Sequence, residues 1–173
     1  MNTNPDKRII ADLVSQDPSV VLSALEGIAE KGNCSYISYL AELLHSSSNE
    51  EIKTRIIGIL NDVKVKDAAN ELVALLQNKH YQTEWKTLSM CCWGNGLDYT
   101  PHLPAFVNIV ISEPFETAFE AFTVIENMEG KTTQEQKDNV INKIKSAIPT
   151  ISEDKVYLLQ ELIKIIDNIA LAE

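Results

Sequence analysis

The stretch 89-SMCCWGNG-96 sets two adjacent cysteines beside a tryptophan and a glycine turn, residue types that could serve redox or metal chemistry. Neighbouring Cα atoms lie about 3.8 Å apart, closer than a disulfide spans, so a Cys91–Cys92 bridge would break any helix running through them. Gly94 and Gly96 bring no side chain to a metal. The three histidines, His45, His80 and His102, stand at no metal-ligand spacing from Cys or Asp and read as solvated loop or helix-edge residues. The acidic pairs Glu26/Glu30 and Glu116/Glu120 are spaced i,i+4 and read as solvated helix faces. No GxSxG, Walker A or GxGxxG pattern occurs, and 94-GNG is too short to cradle a phosphate. The sequence therefore assigns no catalytic residue, no metal ligand and no cofactor.

The elements that carry these residues recur. The segments 20-VVLSALEGIA, 52-IKTRIIGILN, 85-WKTLSMCCWG and 117-TAFEAFTVIE start 32, 33 and 32 residues apart. Aligned so, the fifth positions are Ala24, Ile56, Ser89 and Ala121; the eighth are Gly27, Ile59, Cys92 and Val124; the ninth are Ile28, Leu60, Trp93 and Ile125. Positions one, five, eight and nine share one helix face. This frame puts Cys92 and Trp93 in the core and Cys91 on the outer side, a packing helix with one surface thiol. A less regular copy starts at 155-KVYLLQELIK, after a gap of 38.

Each unit then supplies a second helix: 36-YISYLAELL, 68-AANELVALL, 102-HLPAFVNIV and 136-QKDNVINKI. Their apolar stripes run Leu40/Leu43/Leu44, Leu72/Leu75/Leu76 and Phe106/Ile109/Val110, with Val140/Lys143/Ile144 losing its middle apolar member. Asp17-Pro18 and Thr100-Pro101 pair an N-cap with a proline at the first helical position. Asn49-Glu50-Glu51 and Ser152-Glu153-Asp154 put acid in a first turn, where the helix dipole favours it. Gly32, Gly94/Gly96 and Gly130 are placed to end three of the first helices.

Paired helices at this spacing, with 52-IKTRIIGILND and 85-WKTLSMCCWGNG, resemble the HEAT-type repeats of the armadillo-like α-solenoids. Ile52-Lys53, Trp85-Lys86 and Trp93-Gly94 occupy the family's Val, Lys/Arg and Leu-Gly places, with Ile or Trp for Val and Trp for Leu. The resemblance covers about residues 17–150 well and implies a right-handed α-α superhelix whose second helices form a concave face. The fold expected is all-α, a short HEAT-like solenoid of about ten helices in four to five hairpins, as one domain over 1–173. Within it, 5–16 caps the N-terminus, repeats occupy approximately 17–48, 49–81, 82–113 and 114–150, and 151–173 caps the C-terminus.

Composition narrows the function. Aromatics are 6% against 45% hydrophobic residues, which favours a helical core over a sandwich. The formal charge is −10, with fifteen basic residues scattered among twenty-five acidic ones, and the one local cluster (Lys131, Lys137, Lys143, Lys145) is interleaved with Glu135 and Asp138. A phosphate-binding stripe is missing, so neither nucleic acid nor an anionic membrane is expected as a partner. The polar start MNTNPDKRII lacks a signal-peptide core, no window approaches 18 apolar residues, and three cysteines lack CxxC spacing. That usage fits a reducing cytoplasm.

The function expected is a non-catalytic scaffold that binds another protein, for which a basic partner suits the charge. The alternative is a HEAT-like lyase or chaperone-type subunit holding a small ligand or pigment in its groove. Of the enzymes on this scaffold, the alkylpurine DNA glycosylases need a basic groove that this chain does not offer. The bilin lyases tolerate acidity, but nothing in this sequence marks a pigment pocket. Aligned second helices give three ladders: Tyr36/Ala68/His102/Gln136, Tyr39/Glu71/Ala105/Asn139 and Glu42/Ala74/Asn108/Asn142. The protein-binding residues expected are Tyr36, Tyr39, Glu42, Glu71, His102 and Asn108, with the tyrosines offering the largest contact area.

Overall fold

The computed structural model describes residues 4–31 and 34–172. Among them the chain is all-helical, with ten α-helices. It divides into two compact units, Met1–Asn95 and Gly96–Glu173. The division falls at Gly96, whose φ of +66° is the left-handed conformation that stops a helix.

The first unit holds α1 (Lys7–Leu13), α2 (Pro18–Lys31), α3 (Ile37–Ser46), α4 (Glu50–Asp62), α5 (Ala68–Leu76) and α6 (Trp85–Asn95). α2 packs on α4 and α4 on α6, while α3 and α5 pack on each other and on α4 and α6 respectively. Leu25, Ile56, Leu60, Leu72 and Leu88, all fully buried, fill the space between these rows. Two expected caps hold: Asp17 accepts from the Ser19 amide at 2.9 Å, and Asn49 accepts from Glu51 and Ile52. The Asp17 bonds, from the Ser19 hydroxyl and amide, also hold its carboxyl below the usual range. Gly32 lies outside the described residues.

The second unit holds α7 (Leu103–Ser112), α8 (Phe115–Glu126), α9 (Gln134–Ala147) and α10 (Glu153–Asn168). α7 packs on α8 and α9, and α10 on α8 and α9. Thr100 is not the expected N-cap. It is buried inside a 3-10 turn, and its hydroxyl accepts from the Gly130 amide at 3.1 Å while Asp98 accepts from the Thr100 amide at 2.9 Å. Gly130 serves that close approach and not a helix end: a Cβ there would lie 2.5–2.7 Å from the Asp98 carboxylate and Thr100 hydroxyl.

Three features had no sequence signal. Lys131–Thr132 (β1) pairs in parallel with Ala170–Leu171 (β2), tying the last described residues back to the α8–α9 turn. Lys155 is buried, and its ammonium donates to the carbonyls of Ile111 (2.8 Å) and Glu113 (2.7 Å) at the end of α7. Lys137, also buried, donates to the Asp167 carbonyl in the last turn of α10. Cations at helix C-termini satisfy the orphan carbonyls and oppose the dipole. Burial pushes the Lys155 ammonium below the lysine range, with Asp154 and Glu113 opposing.

The opening cysteines correct the frame. Cys91 and Cys92 are both fully buried, and Trp93 is 42% exposed. The buried face of α6 is Trp85, Leu88, Ser89, Cys91, Cys92 and Asn95, which matches Ile56, Ile59 and Leu60 of α4 at a spacing of 32 instead of 33. One residue is about 100° of helix, enough to turn Trp93 out and Cys91 in. Burial also pushes the Cys91 thiol up to about 12, so at pH 8 it is protonated and shielded at once. Cys34 is the half-buried one. Native protein treated with maleimide at pH 8 should therefore label at Cys34 first, with Cys91 and Cys92 reacting only in denaturant. Peptide mass spectrometry showing Cys91 modified as fast as Cys34 would refute this face assignment.

Candidate functional site

Of the six residues expected to bind a partner, Tyr39, Glu42, Glu71 and Asn108 are exposed, His102 is half-buried and Tyr36 is buried. Tyr36 is a correction: it is only 2% exposed, and its hydroxyl accepts from the Asp6 amide at 2.8 Å. Its ladder mates Ala68, in the first unit, and His102, in the second, are fully buried and half-buried. His102 also titrates below the ordinary histidine range because burial disfavours its charge, with Asp98 opposing. The second ladder is exposed at Tyr39, Glu71 and Asn139 but buried at Ala105; the third, Glu42, Ala74, Asn108 and Asn142, is exposed throughout. Glu71 stands exposed on α5.

Tyr39 and Glu42 are brought together. They line a groove of about 460 Å³ in the first unit, with Leu43 and Ser46 one helical turn away on the same row of α3. Leu13 and Val14, where α1 ends, line it too. The turn after α3 contributes Ser47–Asn49, and its shape is set by two bonds: the Ser47 amide donates to Leu43 O at 2.9 Å, and the Asn49 amide to Ser47 Oγ at 3.1 Å. Val14, at 76% exposure, and Tyr39, at 38%, are two large apolar side chains that the fold leaves uncovered there.

Glu42 also belongs to a polar cluster that no sequence spacing announced. The 3-10 turn Lys79–Glu84 packs on α3. From it the Tyr81 hydroxyl donates to Glu42 Oε2 at 3.1 Å, and His80 Nε2 lies 3.2 Å from the same oxygen. His45 Nδ1, one turn along α3, is 3.5 Å from Glu84 Oε1, and the two imidazole rings are 4.8 Å apart. Burial pushes the Tyr81 phenol up, and the Glu42 bond and charge add to that, so it stays a donor. The residues come from positions 38–39 apart in sequence, on an α-helix and a 3-10 turn, so no periodic pattern could have paired them. Among the described residues no cluster of three or more His, Cys, Asp or Glu side chains is placed to hold a metal ion. The histidines contact carboxylates, Thr83, Tyr81 and each other, an arrangement suited to orienting charge.

The second unit has its own groove, of about 510 Å³, lined by Asn108, Gln136, Asn139 and Lys143 among others. The Lys143 ammonium donates to Asn108 Oδ1 at 2.6 Å, so Asn108 presents a carboxamide already engaged on one side. No helix among the described residues is long and apolar enough to cross a membrane. No protein-family model matches this sequence, and none of the curated proteins matches it.

Proposed function

We propose that the chain is a short HEAT-like array, a right-handed helical superhelix, that acts without catalysis by binding another protein in the α3 groove. The observation that carries this reading is the uncovered pair Val14 and Tyr39, set beside a carboxylate whose position two neighbours fix. Uncovered apolar side chains next to an oriented polar group are the ordinary make-up of a binding surface. The repeat spacing of 32–34 residues supports the array, since such repeats build extended surface from stacked hairpins.

The test is affinity capture from the native source with the wild-type protein and with a Val14→Ser/Tyr39→Ala double variant. Both should give the same helical circular dichroism, and the variant should lose whatever protein the wild type retains specifically. Full retention by the folded variant would place binding elsewhere, the groove of the second unit being next in line. A small molecule co-purifying with the protein, seen by mass spectrometry, would favour ligand carriage instead.

A further inference from the structure

We infer that the α3 groove is selective for a segment of a partner protein that sets a lysine or arginine on Glu42 and an aliphatic side chain against Val14 and Tyr39. The inference rests on the groove being the binding surface and adds the chemistry of what it takes. Glu42 is the only charged residue among those lining the groove; the rest are apolar or carry hydroxyl, phenol or amide groups. An acidic segment would find a like charge there and no cation among the lining residues, and a neutral one would leave Glu42 Oε1 without a charged donor. The protein's charge of −10 draws a cationic segment in from a distance as well.

The state of Glu42 sharpens the point. Most exposed glutamates lose rotamer freedom when a partner orders them, and that loss opposes binding. Here the side chain remains 56% exposed, yet Oε2 is held by the Tyr81 hydroxyl and His80. Both of those contacts fall on one oxygen, so Oε1 remains to accept a charge-assisted bond from a partner. The carboxylate is thus ordered before any partner arrives. Val14 and Tyr39 supply the second half of the selection, since an aliphatic side chain seated there removes apolar surface from water on both sides. Neither half alone discriminates: charge without apolar contact is the screened attraction any acidic surface offers, and apolar contact without charge leaves Glu42 unused.

Three fluorescently labelled peptides of equal length test this by anisotropy with the full-length protein: one mixing leucine and lysine, one leucine and glutamate, one serine and lysine. The leucine–lysine peptide should bind most tightly. Glu42→Gln and Val14→Ser, both at exposed positions and checked by circular dichroism, should each weaken it by about tenfold. Equal binding of the serine–lysine peptide, or no effect of Glu42→Gln, overturns the inference by reducing the interaction to general electrostatic attraction. Binding of the leucine–glutamate peptide that is lost in Val14→Ser overturns the cationic preference while leaving the groove as the binding surface. Binding by none of the peptides overturns the inference, and peptide binding indifferent to Val14→Ser and Tyr39→Ala removes the groove reading with it. Sedimentation of the protein alone covers the remaining occupant: a concentration-dependent dimer abolished by Val14→Ser would put a second copy in the groove and overturn the inference.

Discussion

Tyr36→Ala should lower the stability of the protein by about 3–5 kcal/mol, the range for emptying the site of a large buried aromatic. The side chain is almost wholly enclosed and its hydroxyl reaches across 30 residues of sequence to accept the Asp6 amide. Asp6 is itself the N-cap of α1, its carboxylate accepting from the Arg8 amide at 2.9 Å. Losing the ring therefore opens a cavity at the start of α3 and releases the chain that leads into α1. Tyr36→Phe removes the hydroxyl alone, and the partly buried Asp6 amide can recover a bond to water, so about 0.5–1.5 kcal/mol is expected. Urea denaturation followed by circular dichroism measures both. A loss for Tyr36→Ala no larger than that for Tyr36→Phe would mean the ring is not core, and would return Tyr36 to the surface.

That result bears on what periodicity can and cannot read. The stripes Leu40/Leu44, Leu72/Leu75/Leu76 and Phe106/Ile109/Val110 hold, Leu43 being only half-buried, because each supplies apolar side chains at helical spacing, and spacing is all that burial of a helix face needs. The positions of the first ladder, Tyr36, Ala68, His102 and Gln136, lie at the starts of helices, where what packs there decides exposure and spacing does not encode it. Tyr36 precedes α3 at the end of a 3-10 turn, where its ring turns into the core instead of lying along the helix face. Glu42 was found as an exposed residue, but its partners His80 and Tyr81 come from a 3-10 turn between α5 and α6 that no hydrophobic period marks. The buried Lys155 was hidden for the opposite reason: a lysine at the head of a helix reads as solvated unless the carbonyls it caps are known to be there.

Trp85→Ala should also cost about 3–5 kcal/mol, while Trp93→Ala, which removes a ring that is largely exposed, should cost about 1 kcal/mol. The contrast follows from the register of α6. Trp85 is 7% exposed and its indole N–H donates to the Leu75 carbonyl at 3.1 Å, one of the last in α5, so truncation leaves a cavity and removes one bond to a carbonyl that the Asn78 amide also reaches at 3.1 Å. Trp93 stands two helical turns on and is 42% exposed. A spacing of 33 from α4 puts Trp93 opposite Leu60 and makes it core; a spacing of 32 puts Cys92 there and Cys91 opposite Ile59, which is the arrangement found. Hydrophobicity favoured the wrong choice, since tryptophan looks a better match for leucine than cysteine does, although free cysteine is among the most buried residue types. The single-tryptophan variants also separate the two rings spectroscopically: the fluorescence of Trp85→Ala, reporting Trp93, should be red-shifted and readily quenched by iodide, and that of Trp93→Ala should be blue-shifted and protected. Equal stability losses with equal quenching would restore the spacing of 33 and return Trp93 to the core.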